Sequence, residues 1–189
     1  MRITTGLLML QIAFAAFPIL KADVIDFNTL PGNNKDPFTT YTENGFTVSA
    51  TSGPWSVATL FGNPVPDVFC FNCNPGTLEV TGGQFNFEGV DLGDAAPPPF
   101  SYTITGYLNG SQVLLQSGVS PAAVGTFATI ASAETTQLLD RLDISINTAS
   151  TDGNVDNIVV NSVPEPGTWI LLLLVIGVLA RSFRTYRTS

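Results

Sequence analysis

The stretch Phe100-Ser-Tyr-Thr-Ile-Thr-Gly-Tyr-Leu-Asn-Gly-Ser-Gln-Val-Leu-Leu leaves a folding chain few choices. Apolar Phe100, Tyr102 and Ile104 alternate with Ser101, Thr103 and Thr105, which is the period of a strand with one buried face. Asn109-Gly110 then supplies the two positive-φ positions of a type I′ turn, so residues 100–108 and 111–117 are expected to form a hairpin. Similar short runs, bounded by Gly, Pro, Asn and Asp, recur between residues 24 and 162, and no amphipathic helical run competes with them. Further strands are expected at Val24–Phe27, Phe46–Thr51, Trp55–Leu60, Thr77–Thr81, Gln84–Leu92, Gly125–Ala131, Leu138–Asn147 and Val155–Ser162. In the run starting at Phe85 the apolar phase changes from Phe85 and Phe87 to Val90 and Leu92, and a β-bulge at Glu88-Gly89 would return both pairs to one face. The fold class that follows is all-β, a single β-sandwich.

The Pro-rich tract between Asp94 and Phe100 is the one candidate domain boundary inside this region. Splitting there would leave fewer than about 80 residues on each side, too few for comfortable independent cores, so the tract reads as a rigid crossover between sheets. The chain therefore divides into residues 1–22, a sandwich domain over 23–162, and a tail over 163–187.

Both flanking segments are dense in apolar residues. Met1-Arg2, an uncharged stretch from Ile3 to Leu20, then Lys21-Ala22-Asp23 describe a secretory signal peptide, with cleavage expected after Ala22 and Ala15 or Ala16 as the alternative positions. At the other end Val163-Pro164-Glu165-Pro166-Gly167-Thr168 leads into an unbroken apolar run, Trp169 to Ala180, followed by Arg181, Arg184 and Arg187. Two prolines around a glutamate cannot continue a strand ladder, so the sandwich ends there. As a helix the apolar run covers roughly 18 Å, short of the ~30 Å hydrocarbon core, and about 168–183 is the expected extent of a short membrane helix. That length suits a transient anchor, and the arginines place it with the sandwich domain outside the cytoplasm.

The order Val-Pro-Glu-Pro-Gly-Thr-Trp, apolar segment and arginine-rich tail resembles the PEP-CTERM sorting signal of exopolysaccharide-producing Gram-negative bacteria. The resemblance implies a substrate of exosortase, a membrane-embedded transpeptidase, recognised at Pro164, Glu165 and Pro166. It implies an inner-membrane precursor and then a cell-surface or extracellular-matrix protein. More loosely, the Gly-Tyr-Leu-Asn-Gly hairpin and the closing Val155-Asp-Asn-Ile-Val-Val strand look like the cargo domains that carry such tails, which implies a jelly roll like those of carbohydrate-binding modules.

Charge and chemistry narrow the task of the mature domain. Over residues 23–163 only Lys35 and Arg141 stand against fourteen carboxylates, a net charge of −12. That field disfavours nucleic acid and anionic lipid, and is compatible with cations or neutral polysaccharide. The chain has no histidine, which removes His-activated nucleophiles and His-ligated metals. Two carboxylates across a cleft could still serve a glycosidase, yet no pair sits in a recognisable signature.

Three sets of residues stand out as candidate sites. Cys70 and Cys73, an even pair in an exported chain, are read first as a local disulfide, with free thiols or redox or metal chemistry as alternatives. Asp26 and Asp156 lie in the first and last strands, where a jelly roll would pair them, and could share a structural calcium, helped by the oxygen-rich turn at Asp152-Gly153-Asn154. Trp55, ahead of Phe61, Phe69, Phe71 and Tyr107, is the candidate aromatic for stacking on a sugar ring. No regular Thr-x-Thr array is visible along the chain. The leading expectation is a non-catalytic, exosortase-processed surface protein, and the alternative is a calcium-dependent carbohydrate-binding module of the exopolysaccharide matrix.

Overall fold

A computed structural model describes residues 22–148 and 151–163. The expected signal peptide, the Pro164-Glu165-Pro166 motif and the 168–183 helix lie outside the described residues. Among the described residues eleven strands form, namely β1 (Ala22–Ile25), β2 (Thr40–Glu43), β3 (Phe46–Ser52), β4 (Trp55–Ala58), β5 (Asp67–Phe71), β6 (Gly76–Asp94), β7 (Ser101–Leu108), β8 (Ser111–Val119), β9 (Thr126–Ala131), β10 (Leu138–Asn147) and β11 (Asp152–Val163). No helix among the described residues is long and apolar enough to cross a membrane.

The two expected strands 77–81 and 84–92 are one, β6, and this strand organises the molecule. Its first part, Gly76 to Thr81, pairs with β3 on one side and β10 on the other. After Gly82 and Gly83, both at positive φ, its second part pairs with β11 and β9. Gly82 must be glycine on steric grounds too, because a Cβ there would lie 2.6 Å from the Phe46 ring. The ladder thus folds over on itself. One layer runs β2-β3-β6-β10-β7-β8, and the other runs β4-β5-β11-β6-β9 with β1 added to the far half of β11.

Alternation along each strand points one side chain set into the space between the layers. Val48, Val80, Leu142 and Leu114 come from the first layer, with Leu78, Ile144 and Ile104 in the next row. Val57, Val68, Val155 and Leu92 face them from the second, with Ile158, Val160, Phe87 and Phe85 beyond. All belong to one continuous apolar cluster, so the Asp94–Phe100 tract is a crossover between layers of a single core.

The bulge expected at Glu88-Gly89 is present. Val159 pairs with Gly89 and Val160 with Phe87, leaving Glu88 as the extra residue, so Phe87 and Val90 both point inward. The hairpin at Asn109-Gly110 also forms, with φ of 52° and 77° and Leu108 opposite Ser111.

Candidate functional site

In the second layer, Val155 and Leu92 point inward, so their strand neighbours Asn154, Asp156 and Asp91 point to the outer surface. Asp156 and Asp91 are nevertheless buried, because the segment 59–66 crosses over them as a strap, while Asn154 is buried beside Asp67 of β5. Asn63 is the anchor of the strap. The Asn63 backbone N–H donates to Asp156 Oδ2 at 2.8 Å, and its side-chain amide donates to Asp91 Oδ2 at 3.3 Å. Asn157 closes the network, its side-chain amide donating to the Asn63 carbonyl (2.7 Å) and to Asp91 Oδ2 (2.9 Å). Asp91 Oδ1 accepts from the Thr129 hydroxyl, and Asp156 Oδ1 accepts from the Asn157 backbone N–H. Phe61 of the strap stacks on Phe127 of β9 with centroids 4.8 Å apart. Beside this pair a cleft of about 360 Å³ opens, lined by Leu60, Phe61, Asn63, Val65, Thr126 and Phe127.

One strand away, Asp67 is wholly buried and receives the Asn154 amide at 2.9 and 3.2 Å. Burial pushes its carboxyl up to about 9, with the Asp156 charge adding to the rise and the Asn154 donor opposing it. Asp67 is therefore a neutral acid at pH 7. Asn154 Oδ1 is itself buried and accepts no hydrogen bond among the described residues. Burial likewise lifts Asp156 to about 7, against the pull of the Asn63 and Asn157 N–H donors, with Asp91 and Asp26 raising it further.

The residues singled out in the sequence fare differently. Asp26 and Asp156 come within each other's electrostatic reach, since β1 pairs with β11 beside them. Three of their four oxygens are engaged, however: Asp26 Oδ1 accepts from the Asn28 N–H, and both Asp156 oxygens accept backbone N–H groups. Among the described residues no group of three or more Cys, Asp or Glu side chains gathers to hold a metal ion.

Trp55 is 2% exposed, packed in the core with its indole N–H donating to the Ser52 carbonyl at 2.9 Å. This corrects the expectation of a sugar platform, because β4 turns that side chain inward opposite Cys70. Phe71, in contrast, is 52% exposed. Cys70 and Cys73 stand at disulfide distance with Cα atoms 5.9 Å apart, both buried. Thr148 ties their loop down by accepting the Cys73 N–H and donating to the Cys70 carbonyl.

Sequence reasoning missed the strap and its anchors. Asn63, Asp91, Thr129 and Asn157 lie far apart in the chain, and the first strap residues, Thr59 and Leu60, were expected to continue a strand that ends at Ala58.

The protein is thus an all-β sandwich with a polar network under one surface strap. Residues 162–187 match the PEP-CTERM protein-sorting motif, so the chain carries that sorting signal behind the sandwich. No curated protein matches the chain. Among solved structures, a family 29 carbohydrate-binding module superposes with a TM-score of 0.44 at 10% identity, covering 76% of this chain and 92% of that one. A family 61 carbohydrate-binding module in complex with β-1,4-galactotriose gives 0.40 at 10% identity, covering 66% and 100%. The GH29 fucosidase of Ruminococcus gnavus in complex with fucose gives 0.42 at 12% identity over 66% of this chain, which spans about a quarter (26%) of the fucosidase.

Proposed function

We propose that this is an exported, non-catalytic surface protein, held at the inner membrane by its tail, processed by exosortase and delivered to the cell surface or extracellular matrix. The observation that carries the reading is the sorting motif at residues 162–187, directly behind the last strand. The absence of histidine in the chain removes His-activated nucleophiles from it. Replacing Pro164-Glu165-Pro166 by three alanines leaves export intact but holds the precursor in the membrane. An epitope placed after Arg187 is lost from the mature wild-type protein and kept in the triple variant. Retention of that epitope by wild-type protein, in cells with active exosortase, sinks the reading in favour of a plain tail anchor.

A second reading, a carbohydrate-binding module of the matrix, is supported by the neutral hydroxyl-lined surface of the first layer described below. Calcium dependence through Asp26 and Asp156 would require those carboxylates to exchange their N–H donors for the ion. Binding to polysaccharide measured with and without EDTA decides that point.

A further inference from the structure

The outward surface of the first layer differs from the rest of the domain in its chemistry. Its residues line up in rows across the strands. Thr42, Thr47, Thr81, Arg141 and Tyr107 form one row, and Thr40, Ser49, Glu79, Asp143, Thr105 and Leu115 form the next. A third runs through Thr77, Ser145, Thr103 and Ser117. Neighbouring hydroxyls meet along these rows: Thr42 with Thr47 at 3.1 Å, Thr40 with Ser49 at 3.3 Å and Thr77 with Ser145 at 2.9 Å. Six strands at about 4.8 Å spacing make the surface roughly 24 Å wide.

The outer face of any sandwich is polar, so polarity alone means little. Charge is the distinguishing feature. Of the fourteen carboxylates in the mature domain, only Glu79 and Asp143 lie in these rows, and Arg141 stands between them at 3.7 and 3.5 Å. Its guanidinium also lies 3.8 Å from the centre of the Tyr107 ring. The face is close to neutral while the remainder of the domain holds nearly all the negative charge. At one end Ser101, Thr103, Ser145, Asn147 and Pro75 line a shallow groove of about 360 Å³. At the β8 edge Leu115 and Val119 are 62% and 61% exposed.

We propose that this face binds an uncharged polysaccharide chain, seated in the Ser101–Thr103–Ser145–Asn147 groove and running along the hydroxyl rows. The inference rests on the carbohydrate-binding reading above and is independent of sorting. Each Ser or Thr hydroxyl both donates and accepts, as each sugar hydroxyl does, whereas carboxylates only accept. Pro75, Leu115 and Val119 offer apolar patches for the C–H faces of the rings. An anionic polymer would meet the field of the surrounding carboxylates and is disfavoured.

The test uses the full chain in mild detergent, run in native gels containing hydroxyethylcellulose, galactomannan or soluble starch, with alginate as the anionic contrast. Retardation is expected in at least one uncharged gel and not in alginate. Thr103→Val with Ser145→Ala should weaken retention roughly ten- to thirtyfold, as expected for two lost hydrogen bonds. The exposed Thr135→Val on a distant turn should leave it unchanged. Thr105→Val with Ser117→Ala, on the same face, serves as a second pair should the first melt early. Retention that survives both pairs overturns the site but keeps a carbohydrate-binding protein. No retardation in any uncharged gel, or equal retardation in alginate, overturns the polysaccharide reading itself.

Discussion

Replacing Asp67 by asparagine should make the domain less sensitive to alkali. In the native protein the Asp67 carboxyl titrates at about 9, against an ordinary value of 3.8 in the unfolded chain. Between pH 5 and pH 8 the unfolded chain has released that proton while the native state still holds it. A group whose pKa is raised on folding favours the native state most below its unfolded pKa, and that advantage fades as pH rises toward the folded value. One proton over three pH units, at 1.36 kcal/mol each, is a loss of about 4 kcal/mol. For a domain of this size that corresponds to a fall in melting temperature of roughly 10–15 °C. Asp156, with Asp91 and Asp26 facing it, adds to the loss up to about pH 7, and burial raises Asp94, Asp143, Asp152 and Glu43 in the same direction. Asp67→Asn keeps the volume and the Asn154 contact but has nothing to ionise. Its melting temperature should therefore exceed wild type at pH 8 and lie close to it at pH 5, followed by near-ultraviolet circular dichroism. Parallel pH profiles for the two proteins would refute the assignment of Asp67 as a buried neutral acid.

Gly76→Ala should destabilise the domain by about 1–3 kcal/mol in urea unfolding, because its Cβ would fall 2.6 Å from Cys70 Sγ and 2.9 Å from Cys73 Sγ; an unchanged midpoint would mean that the cysteine loop is not packed there. Phe87→Ala, at a wholly buried ring beside the bulge, should cost about 3–5 kcal/mol, against less than about 0.5 kcal/mol for Leu115→Ser on the exposed edge. Asp156→Ala should speed amide exchange across residues 60–66 at least tenfold at neutral pH, since Asn63 loses its acceptor; unaltered exchange would show that Phe61 on Phe127 holds the strap unaided. Peptides from the non-reduced mature protein should show Cys70 linked to Cys73, and two alkylatable thiols would contradict the bridge.

Local chemistry made much of the fold legible. The positive-φ turn at Asn109-Gly110 and the phase change at Glu88 are written in two or three residues each, and both form as read. β2 and β5 are not legible in the sequence, for different reasons. Thr40-Tyr-Thr-Glu offers a single apolar residue, too little for a pattern, while Asp67-Val-Phe-Cys-Phe is apolar without alternation and lies between prolines. Trp55 misled because a strand edge beside Gly53-Pro54 is consistent with either face, and only the pairing with β5 decides which. The hydroxyl rows are not legible along the chain because their regularity runs across it, from Thr47 to Thr81 and from Ser145 to Thr103.

β11 leads from the sandwich into the tail, and it is not an edge strand: β6 lies along one side, and β5 and β1 share the other. A pull transmitted through Val163 acts along the axis of β11, so the ladder bonds on both flanks bear the load together instead of opening one after another. β1 runs antiparallel beside it, with Ala22 opposite Asn161, so the first strand leaves the sandwich at the same end. A body tethered there would resist drag in shear, the stiffest direction a sheet possesses, with the crossover loops at the opposite end turned away from the point of attachment.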